Sequence, residues 1–312
     1  MENFKIIRKA VVCILSLHLL GGCASATRHT EPKGSEKAES GTTKKTNNNG
    51  SEVYGPFSGS ENLPKTKEPV LKSDQITLVF GSGLAHGYTY VGVLRALSEL
   101  KITVHSIYAT EVGALAAALY FTQPNPNRID WALLRFNEKN LRKPDGKLGF
   151  ALRSPESDLD EKLHEVFGAL RVENFSERLH ILVEDAKTSE IFEAKKGDLW
   201  RAVRGSLAGA NGFAPTLFEG RSIKAAPRKI AEEYRLAHQA EQYPIVVVTA
   251  GAEPTELFRK LLEGQNATLI SVPLPGLDDL DVKKRNQAAF GGKNAVHQAA
   301  NEILGLVGRK ME

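Results

Sequence analysis

The sequence predicts an α/β domain with a mainly parallel central sheet, and three observations predict it. From Gln75 onward, short apolar runs of strand character alternate with stretches of helical spacing, the pattern that strands joined by crossover helices leave in a sequence. A glycine-rich loop, Gly81-Ser82-Gly83-Leu84-Ala85-His86-Gly87, directly follows the first apolar run and precedes the first helical stretch, where backbone N–H groups can face an anion. A content of 41% hydrophobic and 25% charged residues in a chain of 312 supplies ample material for one large core.

The chain before this domain divides in two. In residues 1–22, Lys5, Arg8 and Lys9 precede an apolar run, Ala10 to Leu20, too short to span a bilayer stably, which is the pattern of an export signal. Its end, Leu20-Gly21-Gly22-Cys23, resembles a bacterial lipobox, which implies lipidation at Cys23 and a membrane anchor there. An ordinary signal peptide with a chance cysteine, or a short membrane anchor, are the alternatives. Ala24, in place of the aspartate that retains many lipoproteins at the inner membrane, points to the outer membrane of the cell envelope. Cys13 leaves with the signal and Cys23 is acylated on this reading, so no thiol remains for a disulfide.

Residues 23–73 read as the lipidated cysteine and a disordered tether, rich in Ser, Thr, Asn, Gly, Lys and Glu without apolar periodicity. A solvated spacer is the simple reading and a partner-binding segment the other. Val53-Tyr54-Gly55-Pro56-Phe57 is the one apolar island there. The formal charge of +4 divides into +2 in residues 1–22, +2 in residues 24–73 and zero from Asp74 onward. A domain in such balance lacks the concentrated basic face of a nucleic-acid binder.

Within the domain, residues 74–312, Ile76 to Phe80 reads as a strand, Val91 to Leu100 as a helix and Ile102 to Tyr108 as a strand. His180 to Glu184, Pro244 to Thr249 and Thr268 to Val272 are further candidate strands, and Asn294 to Val307 a terminal amphipathic helix. The glycine loop alone is a weak signal. A dinucleotide-binding loop would need glycine or alanine at His86 and an acidic residue about 20 positions on, whereas Glu111 lies 30 positions after Gly81.

A longer pattern is more specific. The glycine loop, the helix Gly92-Val93-Leu94-Arg95-Ala96-Leu97, the stretch through Tyr120, Val183-Glu184-Asp185-Ala186-Lys187-Thr188, the stretch Gly197 to Arg204 and the segment Ser206 to Pro215 keep order and spacing together. In this the chain resembles the patatin-like phospholipases. The resemblance implies a three-layer α/β/α fold with a mainly parallel central sheet. It also implies a catalytic serine in a sharp strand-to-helix turn, an aspartate from a later D-G-G or D-G-A, and the glycine loop as oxyanion hole. A serine hydroxyl needs a neighbouring base to take its proton, and backbone N–H groups stabilise the oxyanion that develops.

Mapped by resemblance, the oxyanion-hole-like loop is Gly81, Ser82, Gly83 and Leu84, and the elbow is Ala109-Thr110-Glu111-Val112-Gly113. Glu111 therefore stands at the nucleophile position and Lys224 at the base position, with Ala225 and Ala226 over its small neighbours. Neither member of the dyad is intact. Carboxylate for hydroxyl and ammonium for carboxylate are complementary changes, which leads to an expected ion pair between Glu111 and Lys224. A carboxylate at a helix N-terminus could also block the anion site it faces.

Other residues read more plainly. Ser82 could be a displaced nucleophile, but its backbone is needed as a donor. Ser206 reads as a packing position. His86, His105 and His180 are scattered without a companion carboxylate or cysteine at ligand spacing, and Asp278-Asp279-Leu280-Asp281 reads as an acidic surface loop, so neither a metal nor a cofactor is expected. The expectation is a catalytically inactive, lipid-anchored envelope protein that binds a lipid, a small ligand or a protein partner. An acyl-ester hydrolase using Glu111 as base or nucleophile is the alternative, and a nucleotide-binding module, recognisable by tight NAD(P) binding, a remote one.

Overall fold

The structure, a computed structural model, describes residues 53–54, 74–81, 87–123, 129, 156–209, 213–226, 230–251, 254–275 and 284–310. All belong to one compact unit, Lys44–Glu312. Cys23 and the signal, most of the tether, the loop residues Ser82, Gly83, Leu84 and His86, and Asp278 to Asp281 lie outside the described residues. Among the described residues no helix is long and apolar enough to cross a membrane.

In chain order the strands and helices are β1 (Val53–Tyr54), β2 (Gln75–Phe80), α1 (Gly87–Glu99), β3 (Thr103–Ala109), α2 (Glu111–Thr122), α3 (Glu156–Phe167), β4 (Leu179–Asp185), β5 (Ile191–Ala194), α4 (Leu199–Ser206), β6 (Thr216–Phe218), β7 (Arg221–Ala225), α5 (Ile230–Ala240), β8 (Ile245–Ala250), α6 (Glu256–Leu262), β9 (Ala267–Val272), α7 (Arg285–Gln298) and α8 (Ala300–Leu306). The sheet runs β1-β5-β4-β3-β2-β8-β9, with β7 added to β4 and β6 to β7. Its centre is parallel: β3 and β8 flank β2, β4 follows β3 and β9 follows β8. The pairs β1–β5, β4–β5, β4–β7 and β6–β7 are antiparallel.

Buried central strands read as near-continuous apolar runs because both faces are covered. β2 shows how one strand serves both. Ile76, Leu78 and Phe80 join a core cluster with residues of α1, α2 and α7, while Val79 joins a second cluster with Tyr234 of α5 and Phe258 of α6. The three layers expected of this fold class are therefore present. The helix α2 is buried from Glu111 to Leu119, which its run of Ala and Leu permits on every side.

The expected terminal helix is two. It begins earlier, at Arg285, and breaks at Ala299, after which α8 runs from Ala300 to Leu306. No glycine or proline stands at the break. The apolar island of the tether differs from expectation too: Val53–Tyr54 is a strand on the sheet.

The helices α1 and α7 cross at backbone contact. A Cβ built on Gly92 would lie 1.8 Å from the carbonyl oxygen of Ala289, and one on Gly292 would lie 2.2 Å from that of Thr89. At the edge of this contact Glu99 of α1 meets Lys293 Nζ at 2.6 Å and His297 Nε2 at 3.1 Å. The hydrogen bond from Lys293 leads the causes that hold the Glu99 carboxyl below its usual range. Backbone atoms cannot step aside for a methyl group, so Gly92→Ala forces the helices apart, at a cost at or above the about 1–3 kcal/mol typical of overpacking. A fall in the urea midpoint with unchanged slope is expected; an unchanged midpoint would show that the helices need no such approach.

Candidate active site

The site is built around a change of direction at the end of β3. Ala109 is the last strand residue, Thr110 is extended at φ −130° and ψ 168°, and Glu111 opens α2 with φ +49°. A left-handed residue between a strand and a helix makes the turn abrupt, at about 1–2 kcal/mol for a side chain other than glycine. Gly113 explains the close fit beneath it: an added Cβ would sit 3.0 Å from the Gly81 carbonyl oxygen and 3.1 Å from Phe80 Cβ. The elbow thus rests on the start of the glycine loop.

Of the loop residues mapped as an oxyanion hole, Gly81 is described, and its amide is already engaged within the fold. Its N–H donates to Val248 O at 3.2 Å and its carbonyl accepts from the Tyr90 hydroxyl at 2.6 Å. Gly81 follows β2 and supports the elbow.

Glu111 is 1% exposed. Its carbonyl oxygen lies 3.3 Å from the hydroxyl of Ser206, which donates to Val203 O at 2.8 Å. Ser206 is thus more than packing, since it ties the end of α4 to the elbow backbone. Two residues on, Ala208 O accepts from Ala225 N at 2.9 Å. The end of α4 therefore bridges the elbow and the strand that carries Lys224. Arg204, missed by sequence reasoning, secures the bridge: buried to 1% exposure, it donates to Asp160 Oδ1 at 2.7 Å and to Ala214 O at 3.3 Å, with Phe213 against its guanidinium.

The strand register brings β7 there. β3 pairs with Leu179 to Ile181 of β4, and then the chain leaves the sheet at the elbow. β7 takes the vacated side, pairing with Val183 to Asp185. Asp185 ends β4 by accepting from the amides of Lys187 and Thr188 at 2.8 and 3.1 Å, a turn that side-chain carboxylates favour.

This register corrects the ion pair expected between Glu111 and Lys224. Lys224 stands directly opposite Glu184, on the same face of the sheet, and its Nζ lies 2.8 Å from Glu184 Oε1. Residues directly opposite on antiparallel strands have Cβ atoms only about 5 Å apart, within easy reach of a lysine. Glu184 is 7% exposed and Lys224 34%, so the pair is half sheltered.

The histidine reading is corrected as well. His180 Nδ1 lies 2.7 Å from Glu193 Oε1, and its Nε2 lies 3.7 Å from Glu241 Oε1. Ser106 and Tyr108 donate to that same Glu241 oxygen at 2.8 and 3.2 Å, Thr77 joins Ser106 at 2.9 Å, and the Tyr108 and His180 rings stack at 4.0 Å. The row crosses β2, β3, β4 and β5. Its faint signal in the sequence is a polar residue in phase with one face on each strand. Among the described residues no group of three or more His, Cys, Asp or Glu side chains could hold a metal ion. On the same face, burial pushes the Tyr234 phenol up to about 12.

These contacts give a direct test. A double-mutant cycle on Lys224→Met and Glu184→Gln should return a coupling of about 0.5–3 kcal/mol, as contacting residues do. A second cycle on Lys224→Met and Glu111→Gln should return less. A larger coupling in the second would reinstate the pair with Glu111.

The patatin-like phospholipase family model matches residues 78–234, just over half of the chain. Patatin-like phospholipase domain-containing protein 6 of Homo sapiens and of Mus musculus is 29% identical over 155 residues, which is 47% of this chain and 11% of that protein. Neuropathy target esterase sws of Drosophila melanogaster is 26% identical over 151 residues, 47% of this chain and 10% of that protein. The chain thus spans about a tenth of the length of these relatives. Among solved structures, VipD from Legionella pneumophila gives a TM-score of 0.49 at 11% identity, covering 79% of this chain and 72% of VipD. The ExoU-SpcU complex of Pseudomonas aeruginosa gives 0.43 at 14% identity, covering 92% and 61%. With the elbow, the register and the family match over residues 78–234 in agreement, the chain belongs to the patatin-like phospholipase family.

Proposed function

We propose that this protein is a lipid-anchored envelope member of the family that performs no serine-type ester hydrolysis and uses the cleft at the elbow, or the surface beside it, to bind a lipid, a small ligand or a protein partner. The observation that carries the reading is Glu111: a buried carboxylate at φ +49° on the first residue of α2. The turn that would expose a nucleophile is kept, and the hydroxyl is not. The phospholipase and esterase names of the relatives give acyl esters as the chemistry such a scaffold would otherwise serve.

Two considerations support the absence of serine-type hydrolysis. Hydrolysis by the serine route begins with proton transfer from a hydroxyl to a base. Glu111 offers no hydroxyl, and Lys224, bound to Glu184, is a donor without an acceptor lone pair when charged. Loss of the nucleophile of such a unit costs about a millionfold in turnover. A carboxylate at the start of α2 is also stabilised where an oxyanion would be, so it competes with the transition state for any donors there. A carboxylate can itself act as nucleophile or base, and its place on the elbow is what favours that second reading.

Purified protein should hydrolyse short- and long-chain acyl esters no faster than buffer. Restoring the pair with Glu111→Ser and Lys224→Asp together should raise the rate by about 100-fold or more, the lower end of what a positioned base contributes. Appreciable hydrolysis by the unaltered chain that Glu111→Gln abolishes would install the second reading. For the anchor, Cys23→Ser should move the protein from the membrane fraction to the soluble one; membrane retention by the variant would remove lipidation at Cys23 from the proposal.

A further inference from the structure

We infer that the outer edge of β5 is a strand-docking surface and that Val53–Tyr54 is its resident, releasable cap. β5 has two sides. On one, all four of its residues pair with β4, from Ile181 opposite Ala194 to Glu184 opposite Ile191. On the other, β1 covers two, with Val53 opposite Phe192 and Tyr54 opposite Ile191, antiparallel. In the described sheet β1 is the terminal strand, so without it β5 is the edge.

That edge is a poor one to leave open. Phe192, Glu193 and Ala194 are all buried, so the strand carries none of the outward charge that natural edges use against unwanted pairing. An unpaired row of N–H and C=O groups there is a template for any extended segment. The occupant suits the role by residue type, since a β-branched residue followed by an aromatic one favours strand geometry. It is also the one apolar island in a long polar stretch. Pro56, two positions on, has no N–H to donate and limits how far such a ladder could extend.

Two residue pairs make a weak cap. Few backbone hydrogen bonds hold it, and short terminal elements of this kind open at the low end of a protein's range of local stabilities. The link from Gly55 to Asp74 has 20 residues, whereas β5 and β2 are separated only by β4 and β3, roughly 15 Å at the usual strand spacing. Twenty residues can reach roughly 65 Å when extended, so the covalent link does not tie release of β1 to movement of β2. The surface thus fits an extended backbone segment paired antiparallel, and in the resting protein that segment is the chain's own.

Hydrogen exchange on the full chain tests this. In antiparallel pairing alternate N–H groups face alternate sides, so within Ile191–Phe192 one amide faces β1. Substituting Val53→Pro and Tyr54→Pro together should speed its exchange at least 10-fold while the amides of β4 stay as slow as before. A synthetic peptide of residues 47–60 added to the variant should restore slow exchange, and the same peptide should leave the unaltered protein unchanged. Concentration-dependent protection of the variant without peptide would mean that a second copy has taken the edge, which also supports a docking surface. If the Ile191–Phe192 amides exchange equally in both proteins, or the peptide restores nothing, the inference is wrong.

Discussion

The departure of β3 from the sheet at Thr110 is the constraint on which the rest of the site depends. Because β3 pairs with β4 only from Leu179 to Ile181, the second half of β4 has a free side, and β7 fills it. That exchange of neighbours along one strand sets three things at once. It frees the backbone to enter α2 through a left-handed residue, it places Lys224 beside the turn, and it fixes Glu184 as the side chain Lys224 faces. Had β3 continued by three residues, β7 would have had no side of β4 to join.

The elbow holds a carboxylate at its apex on a strained backbone. A positive φ at Glu111 disfavours any side chain, and Gly113 keeps its glycine where a Cβ would press on the Gly81 carbonyl. Strain of this kind persists only where the surroundings over-determine it. Here they do: Ser206 reaches the Glu111 carbonyl, α2 is buried along its first nine residues, and Gly81 is bonded on both its amide and its carbonyl. The turn is thus a property of packing. A change of side chain at its apex need not undo it.

What was legible in the sequence follows the range of the interactions involved. The runs at Ile76 to Phe80, Ile102 to Tyr108, His180 to Glu184, Pro244 to Thr249 and Thr268 to Val272 are strands because periodicity is local, and each is recovered within a residue or two. Glu111 and Lys224 were singled out as site candidates by resemblance alone. Their partners were not, because register is set by tertiary pairing: the one-to-one facing of Glu184 and Lys224 cannot be read from a spacing of 40 positions. The bond from Ser106 to Glu241 spans 135 positions, and nothing near either residue announces the other. Two-residue strands such as β1 offer too few positions for any period to show.

The polar row from Thr77 to Glu193 shows how one face of the sheet can hold charge-bearing groups beside the apolar cluster of α5 and α6. A buried carboxylate is costly when bare and tolerable when its oxygens are used. Glu241 meets this by accepting from both Ser106 and Tyr108, and Glu193 by meeting His180 at 2.7 Å. Each donor comes from a different strand or from a neighbouring position on one strand, so the row can be satisfied only when β2, β3 and β4 hold their register. Apolar contacts on the opposite face tolerate a slip far better, because one methyl group substitutes for another. The polar row therefore supplies register specificity to the strand that ends in the elbow, while apolar clusters pack on both faces of the sheet.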